Sequence, residues 1–282
     1  MIIDCQKLAN DLKEDLKIKI EKEVEVRGRS PKLMIIQVGN NQASNAYIKG
    51  KVKDCDEVGI KWTHIHIDED TATTGYLCEL IKNMSWEADG IIVQLPLPDH
   101  INKDAIIDTI ANKKDVDGFK HMSKHMPCTP KGVMTIFEKM GVDLTGKVCC
   151  VIGKSDIVGR PLVNLLMTAG ATVISCNSKT KDLKSHTLRS DIIISAVGKR
   201  DLITKDMVTE DSIVIDVGIN RDENGKLCGD VSRDCYDYVK MITPVPKGVG
   251  LMTRVSLLQN LYDAFMLSGK PNYVFVDDTG VQ

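Results

Sequence analysis

The chain has 282 residues, of which 43% are hydrophobic and 27% are charged, and its formal net charge is -2. This length allows one large domain or two smaller ones with a sizeable core. Charges of both signs are interspersed, which argues against a dedicated binder of nucleic acid or another polyanion. The longest apolar runs are too short to span a bilayer, and the N-terminus lacks the apolar region of a signal peptide, so we expect no membrane partner.

Nine cysteines are scattered along the chain without a CxxC pair. Several lie in strand-like runs, and such cysteines are typical of small buried apolar residues in a reducing compartment, which predicts a cytoplasmic protein. His121 and His125 are four residues apart, with Cys128 close by. Because no second group of ligands accompanies them, we predict no metal site.

Strand-like apolar runs alternate with helical patterns almost throughout. The first series of strand-like runs is LMIIQVG, HIHI and GIIVQL, and the second is KVCCVIG, ATVISC, DIIISAVG and SIVIDVG. A repeated order of strand and then helix predicts an α/β fold with parallel sheets and helices on both faces.

An early segment, ASNAYIKGKVKDCDEVGI, is predicted to be a helix with Ser44 as its N-cap. Tyr47 and Lys51 are four residues apart, so they share one face of this helix. By themselves they are typical of an amphipathic edge with a lysine that extends along the surface.

Three stiff loops change the interpretation of that pair. The buried strand GIIVQLPLP ends at Gln94 and is followed by prolines, at the carboxyl edge where open α/β sheets bind ligands. The segment NKKDVDGF places Asp115 and Asp117 ahead of a glycine, and TPVPKGVGLMT precedes the last helical pattern. Each of them is also explained as an ordinary turn.

The segment MGVDLTGK, near residues 140–147, is the predicted boundary between two domains. We expect a first, catalytic domain over residues 1–140 and a Rossmann-like nucleotide-binding domain over residues 141–251. The last apolar pattern repeats at helical spacing. It predicts a C-terminal helix, within residues 252–282, that returns to the first domain.

The segment VIGKSDIVGRP has the layout of a phosphate-binding turn between a strand and a helix. Its glycines, Gly153 and Gly159, are six residues apart, so it is not a GxGxxG motif. The next strand is followed by Asn177, Ser178 and Lys179, where an NAD enzyme usually has a carboxylate. The missing carboxylate, together with nearby lysines, favours a cofactor with a 2′-phosphate over a turn without ligand.

Together these segments resemble the bifunctional methylenetetrahydrofolate dehydrogenase/methenyltetrahydrofolate cyclohydrolase (FolD) family over nearly the whole chain. The motifs that carry the resemblance are SNAYIKGKVK, VQLPLP, KDVDGF, CTPKGV, LTGKVCCVIGKSDIVGRP and PVPKGVGLMT. The family's cofactor loop has the same wide glycine spacing. The resemblance implies oxidation of 5,10-methylenetetrahydrofolate with NADP (NAD is the alternative) and hydrolysis of the product to 10-formyltetrahydrofolate, in a homodimer.

The resemblance also implies roles for particular residues. Catalytic residues would be Lys51, Tyr47, Gln94 and Asp117. Cofactor-binding residues would be Gly153, Lys154, Ser155, Gly159, Ser178 and Ile219. Substrate-binding residues would be Tyr47, Leu95, Pro96, Asp117, Pro246 and Gly250. In this scheme Lys51 is the acid/base group of hydrolysis, Gln94 holds it, Tyr47 orients the folate and Asp117 anchors the pterin.

The chain departs from the family pattern at four positions. Lys154 stands for an arginine, Asn177 for a histidine, Lys247 for a glycine and Leu251 for a proline. Two alternatives remain at this point: a dehydrogenase without cyclohydrolase activity, and a noncatalytic nucleotide-binding protein. The presence of Tyr47, Lys51 and Gln94 argues against both.

Overall fold

The computed structural model describes residues 1–269, and it has two parallel sheets with helices packed around them. In the first sheet the strand order is β2-β1-β3. The strands are β1 (Lys32–Val38), β2 (Lys61–Ile67) and β3 (Gly90–Val93). The accompanying helices are α1 (Cys5–Arg27), α2 (Gln42–Glu57), α3 (Thr74–Met84), α4 (Lys103–Thr109) and α5 (Cys128–Lys139).

The second sheet has five parallel strands in the order β10-β7-β6-β4-β5. Its strands are β4 (Val148–Ile152), β5 (Thr172–Cys176), β6 (Ile192–Ser195), β7 (Ile213–Asp216) and β10 (Met241–Ile242). A small antiparallel hairpin joins β8 (Asn220–Arg221) to β9 (Leu227–Cys228). The helices are α6 (Gly159–Thr168), α7 (Leu183–Leu188) and α8 (Val249–Leu267). Short 3-10 turns lie at Ser85–Glu87, Lys205–Met207 and Arg233–Cys235.

The predicted α/β class is confirmed, and the reason lies in the central strands. β1 is buried at six of its seven positions, and β6 and β7 are buried throughout. Helices cover both faces of such strands, so their sequences are continuous apolar runs without alternation. The edge strand β2 is covered less completely, and exposed positions alternate along it.

The last helix returns to the first part of the chain, as predicted. α8 packs against α1, α2 and α5 and also contacts β1 and β3. It begins at Val249, three residues before the predicted segment, and residues 270–282 of that segment lie outside the described residues.

The two sheets share a hydrophobic core through α5 and α8. One cluster of buried side chains contains Ile3, Phe137, Val151, Leu162 and Val255, which come from both parts of the chain. The N-terminal ammonium also donates a hydrogen bond of 2.7 Å to the carbonyl of Lys240, beside the second sheet. The predicted division between residues 140 and 141 therefore separates two sheets that share buried side chains, and it stays a prediction.

The predicted N-cap of α2 is wrong by three residues. The cap is Asn41, whose side chain accepts a hydrogen bond of 3.0 Å from the backbone N–H of Ser44. Asparagine is as good a cap as serine, so the earlier residue starts the helix and Ser44 lies in its first turn.

A buried carboxylate organises the loops of the second domain. Asp230 is fully buried and accepts hydrogen bonds from the Ser195 hydroxyl, the Asn220 amide and three backbone N–H groups at residues 197–199. Asp216, at the end of β7, accepts three more backbone N–H groups, and burial raises its pKa to about 6. These bonds tie the ends of β6 and β7 to the β8–β9 hairpin.

We expect Asp230→Ala to lower the free energy of unfolding by roughly 3 kcal/mol or more, because several buried donors lose their acceptor. Urea denaturation measures this change. The matched control is Asp237→Ala, at an exposed position in the same domain, which should stay within about 0.5 kcal/mol of the parent. Equal effects of the two substitutions would contradict the organising role of Asp230.

Candidate active site

The α2 lysine that the sequence analysis selected is buried. The Lys51 side chain is 5% exposed, and its Nζ lies 5.0 Å from the centre of the Tyr47 ring. The spacing of four residues predicted their shared helix face, and that placement is confirmed. The surface-lysine interpretation is wrong, because the helix turns this face toward the end of β3.

Gln94 is the hydrogen-bond partner of this lysine. Lys51 Nζ donates to Gln94 Oε1 at 3.2 Å, and Gln94 Nε2 donates to the carbonyl of Leu95 at 2.7 Å. The second bond turns the amide so that its oxygen faces the lysine. The rim beyond it, at Leu95 and Pro96, contains a cis peptide bond.

Asp117 supplies the nearest carboxylate. Its Oδ1 lies 3.9 Å from Lys51 Nζ, and the residue is buried. Burial raises the pKa of Asp117; the charge of Lys51 lowers it, and nearby Asp115 raises it further. The two groups therefore form a desolvated pair.

Two neighbours hold the Asp117 loop in place. Asp115 accepts the backbone N–H groups of Gly118 and Lys120 through its two carboxylate oxygens. The buried Asn260 side chain of α8 donates to the carbonyls of Val116 and Met126. Asp115 thus has a structural position, whereas Asp117 faces the lysine.

Two adjoining cavities of about 290 and 430 Å³ open beside this cluster. Both are lined by Tyr47, Ile219, Leu227 and Arg254. Gln94, Leu95 and Pro96 line the larger cavity, while Pro246 and Gly250 line the smaller one. The structure therefore brings five of the six predicted substrate residues, from both parts of the chain, to one cleft. Asp117, like Lys51, is not among the residues that line either cavity.

The predicted cofactor loop lies at the carboxyl end of β4. The two glycines are in close contact, since a Cβ on Gly159 would lie 2.0 Å from the carbonyl oxygen of Gly153. Gly153 has a φ of 118° and donates its N–H to the carbonyl of Cys176, at the end of β5. The wide glycine spacing thus builds a tight turn that leads into the N-terminus of α6, where backbone N–H groups suit a phosphate.

The loop after β5 lies beside that turn. Asn177 accepts the backbone N–H of Lys179 through its side chain, and its own N–H donates to the Thr180 hydroxyl. This turn leaves Ser178 and Lys179 exposed, like Lys154 and Ser155 on the neighbouring loop. These four exposed residues include two cations, while the carboxylate of Asp156, the next residue of the glycine loop, is paired with Arg160 at 2.8 Å.

Sequence reasoning missed Arg254, which lines both cavities from the second turn of α8. Its Nε lies 2.9 Å from Asp54 Oδ2. The only available signal was a charged residue within an apolar helical pattern, and that signal does not reveal a partner 200 residues away in sequence.

Within residues 1–269 no group of three or more His, Cys, Asp or Glu side chains is arranged to hold a metal ion. His125 instead bonds the carbonyl of Lys113, and Cys128 bonds that of Val116. None of the helices in this same range is both long and apolar enough to cross a membrane.

Comparison with protein families decides the relationship of the chain. A model described as the catalytic domain of tetrahydrofolate dehydrogenase/cyclohydrolase matches residues 3–117, and one described as its NAD(P)-binding domain matches residues 127–268. The chain belongs to the tetrahydrofolate dehydrogenase/cyclohydrolase family. The family resemblance that the sequence motifs indicated is confirmed.

Individual members of the family agree over almost the full length. The bifunctional protein FolD of Dechloromonas aromatica is 46% identical over 277 residues, which cover 93% of this chain and 96% of the relative. The crystal structure of the bifunctional enzyme FolD from Campylobacter jejuni has a TM-score of 0.90 at 43% identity, covering 95% of this chain and 99% of the other. A Trypanosoma brucei FolD, solved with NADP and an inhibitor, has a TM-score of 0.91 at 30% identity, covering 95% and 98%.

The departures from the family pattern on the proline-rich loop fit its backbone. Lys247 has a φ of 70°, the left-handed conformation that glycine adopts most readily, so lysine keeps this conformation at some cost in strain. The backbone N–H of Leu251 donates to the carbonyl of Gly248 at 3.0 Å, a bond that a proline at this position lacks. The loop therefore still borders the cleft through Pro246 and Gly250.

Proposed function

We propose that this chain oxidises 5,10-methylenetetrahydrofolate to the 5,10-methenyl form with NADP and then hydrolyses that product to 10-formyltetrahydrofolate in the same cleft. Membership of the dehydrogenase/cyclohydrolase family supports both activities. The observation that carries the assignment of residues is the buried contact of Lys51 with Gln94 and Asp117 beside two cavities.

In the hydrolytic step Lys51 would act as the acid/base group. As a neutral amine it takes a proton from the water whose oxygen attacks the methenyl carbon. It then returns this proton to N5 as the bond between that carbon and N5 breaks, and the hydroxyl on the carbon loses its own proton to solvent, which leaves the formyl group on N10. Gln94 Oε1 accepts an N–H of the lysine and so holds Nζ in place.

Asp117 and Tyr47 would position the folate. A carboxylate matches the paired donors on the amino-pyrimidine edge of a pterin, and Asp117 is held rigidly enough by its loop to provide one. The Tyr47 ring, 5.0 Å from Lys51 Nζ, lines both cavities, where it can pack against the flat part of the substrate. Leu95, Pro96, Pro246 and Gly250 would form the walls around it.

The turn at Gly153 and Gly159 fits a dinucleotide, because a side chain on either glycine would collide with backbone. Gly153, Ser155 and Gly159 would hold its diphosphate with the N-terminus of α6, and Ile219 would border the nicotinamide side of the cleft. When bound, the nicotinamide accepts the hydride released by oxidation of the methylene bridge. Lys154, Ser178 and Lys179 would surround a 2′-phosphate, and a T. brucei relative was solved with NADP.

The other two interpretations have less support. A dehydrogenase without cyclohydrolase activity has no need of a buried lysine held by Gln94. A noncatalytic nucleotide-binding protein has no need of the cluster at all. Neither interpretation requires Lys51 to lie buried against Gln94 and Asp117, as it does here.

We further propose a homodimer in the cytoplasm. β5 is an edge strand of the second sheet, with half-buried Val173 and Ile174, and such an edge suits pairing with a second copy. Light scattering tests the mass in solution. All nine cysteines are free, including Cys150 and Cys176 with sulfur atoms 3.7 Å apart, and this supports a reducing compartment.

Purified protein should catalyse both reactions. We expect reduction of NADP with methylenetetrahydrofolate, and hydrolysis of methenyltetrahydrofolate above the rate in buffer. Absorbance of the reduced nicotinamide and of the methenyl compound measures the two steps separately. Reduction without accelerated hydrolysis would leave only the dehydrogenase, and neither activity would refute the proposal.

Charge reversal at Lys154 should weaken NADP more than NAD. A charge-assisted hydrogen bond to a phosphate contributes roughly 1.5–3 kcal/mol, so we expect Lys154→Glu to raise the KM for NADP about tenfold or more. The KM for NAD should change little, because NAD has no phosphate at that position. Lys139→Glu, at the exposed end of α5, controls for the change in net charge. An equal loss for both cofactors would contradict the assignment.

The variant Lys51→Met separates catalysis from packing, since methionine keeps most of the apolar stem. Hydrolysis should fall about a hundredfold or more, the usual contribution of a positioned proton-transfer group. The dehydrogenase should fall less, since hydride transfer depends mainly on placing the substrate against the nicotinamide. The measurement is the ratio of the two activities, after thermal midpoints show that the variant is folded.

Lys49→Met is the matched control, because Lys49 lies on the same helix and is exposed. It should leave both activities unchanged. Near-parental hydrolysis by folded Lys51→Met would remove Lys51, and with it Gln94, from the mechanism.

A further inference from the structure

Arg254 is a cationic residue of the cleft to which the roles above assign no task. It lines both cavities together with Tyr47 and Ile219, and its side chain is 21% exposed. Its Nε is buried and has no hydrogen-bond acceptor among the described residues. A guanidinium has five N–H donors in a rigid fork, so this one has donors left for a ligand.

The position of the guanidinium is determined by α2. Arg254 Nε lies 2.9 Å from Asp54 Oδ2, and the other oxygen of Asp54 accepts from Lys13 Nζ at 3.1 Å. Asp54 is buried, so it is a fixed counter-charge on the inner side of the arginine. The arginine is thus held beside Asp54 by an ion pair, without a hydrogen bond from Nε.

Gly50 makes the room for this arrangement. A Cβ at position 50 would lie 1.8 Å from Arg254 Nη1, far inside van der Waals contact. Nη1 therefore lies against the backbone of α2, one turn from Tyr47 and next to Lys51. A glycine inside a helix is less favourable than alanine, and here it provides the space that the arginine occupies.

We propose that Arg254 binds a carboxylate of the glutamate tail of the folate substrate. This inference rests on the proposed function. The pterin end of the substrate is neutral and would meet Asp117, whereas the glutamate at the opposite end carries the only carboxylates of the molecule. A guanidinium pairs with a carboxylate through two parallel hydrogen bonds, and a partly desolvated site strengthens them.

A second cation faces the same cavity. Arg221, on the β8–β9 hairpin, lines the larger cavity together with residues of α2. Its Nη1 donates to the carbonyl of Gly225, so the hairpin itself holds it. Arg221 comes from β8 and Arg254 from α8. Together they give the cleft a positive potential, which attracts an anionic tail.

The alternative is that Arg254 only fastens α8 to α2 through Asp54. A structural role affects every substrate equally, while a carboxylate-binding role affects only substrates that have the carboxylate. The experiment therefore compares methylenetetrahydrofolate with its analogue in which both glutamate carboxylates are amides. The readouts are kcat and KM of the dehydrogenase for each compound.

For the parent enzyme we expect a KM about tenfold higher for the diamide, the size of effect expected for one charge-assisted contact. Arg254→Gln should raise the KM for the natural substrate about tenfold, leave kcat within about twofold, and leave the KM for the diamide unchanged. The control Arg189→Gln, at an exposed site beyond α7, should change neither KM.

Gly50→Ala provides a second variant in case Arg254→Gln is unstable. Alanine has a higher helix propensity than glycine, so the change in the backbone should not lower the thermal midpoint. The methyl group of alanine, however, displaces the guanidinium of Arg254. The KM for the natural substrate should rise and that for the diamide should not. An equal rise for both compounds, or no rise, would overturn the role of Arg254, whereas an inactive parent enzyme would overturn the proposed function itself.

Discussion

The ammonium group of Lys51 lies in a buried position, and a buried charge is costly unless acceptors and a counter-charge surround it. Gln94 and Asp117 provide them, from the end of β3 and from the loop that follows α4. Gln94 provides the acceptor and Asp117 the counter-charge, and each must be held in place by its own backbone. Asn260 of α8 supplies part of that support by holding the carbonyls of the Asp117 loop. The return of the last helix is therefore a requirement of the cleft and not only a matter of core packing.

The same helix links the cleft to the second sheet. Its first turns, with Val249 and Val255, join a core cluster that also includes Val151 of β4. Its middle, with Leu258 and Leu261, packs in the core beneath the first sheet. A rigid element that belongs to both cores keeps the substrate walls from the two parts of the chain at a defined separation, which hydride transfer between two ligands needs.

The part of the chain around the second sheet also contains buried charged groups, which here are carboxylates. Asp216 and Asp230 are buried and accept hydrogen bonds chiefly from backbone N–H groups and neutral side chains. They fix the loops after β6 and β7, including the hairpin that carries Ile219 to the cleft. The departures from the family pattern are compatible with the loops in which they lie. Asn177 and Leu251 each make a hydrogen bond within their loop, and Lys247 adopts the left-handed conformation that its loop requires.

The sequence by itself determined the order of elements, the parallel α/β class and the family. Apolar periodicity is a local property, and the six motifs and their order can be recognised in the sequence alone. It also predicted that Tyr47 and Lys51 share a helix face, because that follows from helix geometry alone. The N-cap of α2 was missed, since Asn41 and Ser44 have similar capping strength and only the surrounding contacts choose between them.

Only the tertiary structure decided that Lys51 is buried, that Asp117 and not Asp115 faces it, and that Arg254 meets Asp54 across the niche at Gly50. These are contacts between segments 40 to 200 residues apart in sequence. Their existence depends on how helices and loops pack, and a charge or a glycine in one segment does not indicate which distant residue will lie against it. The physical reason is that periodicity reports which face of an element is buried, while the partner on that face is chosen by the assembled core.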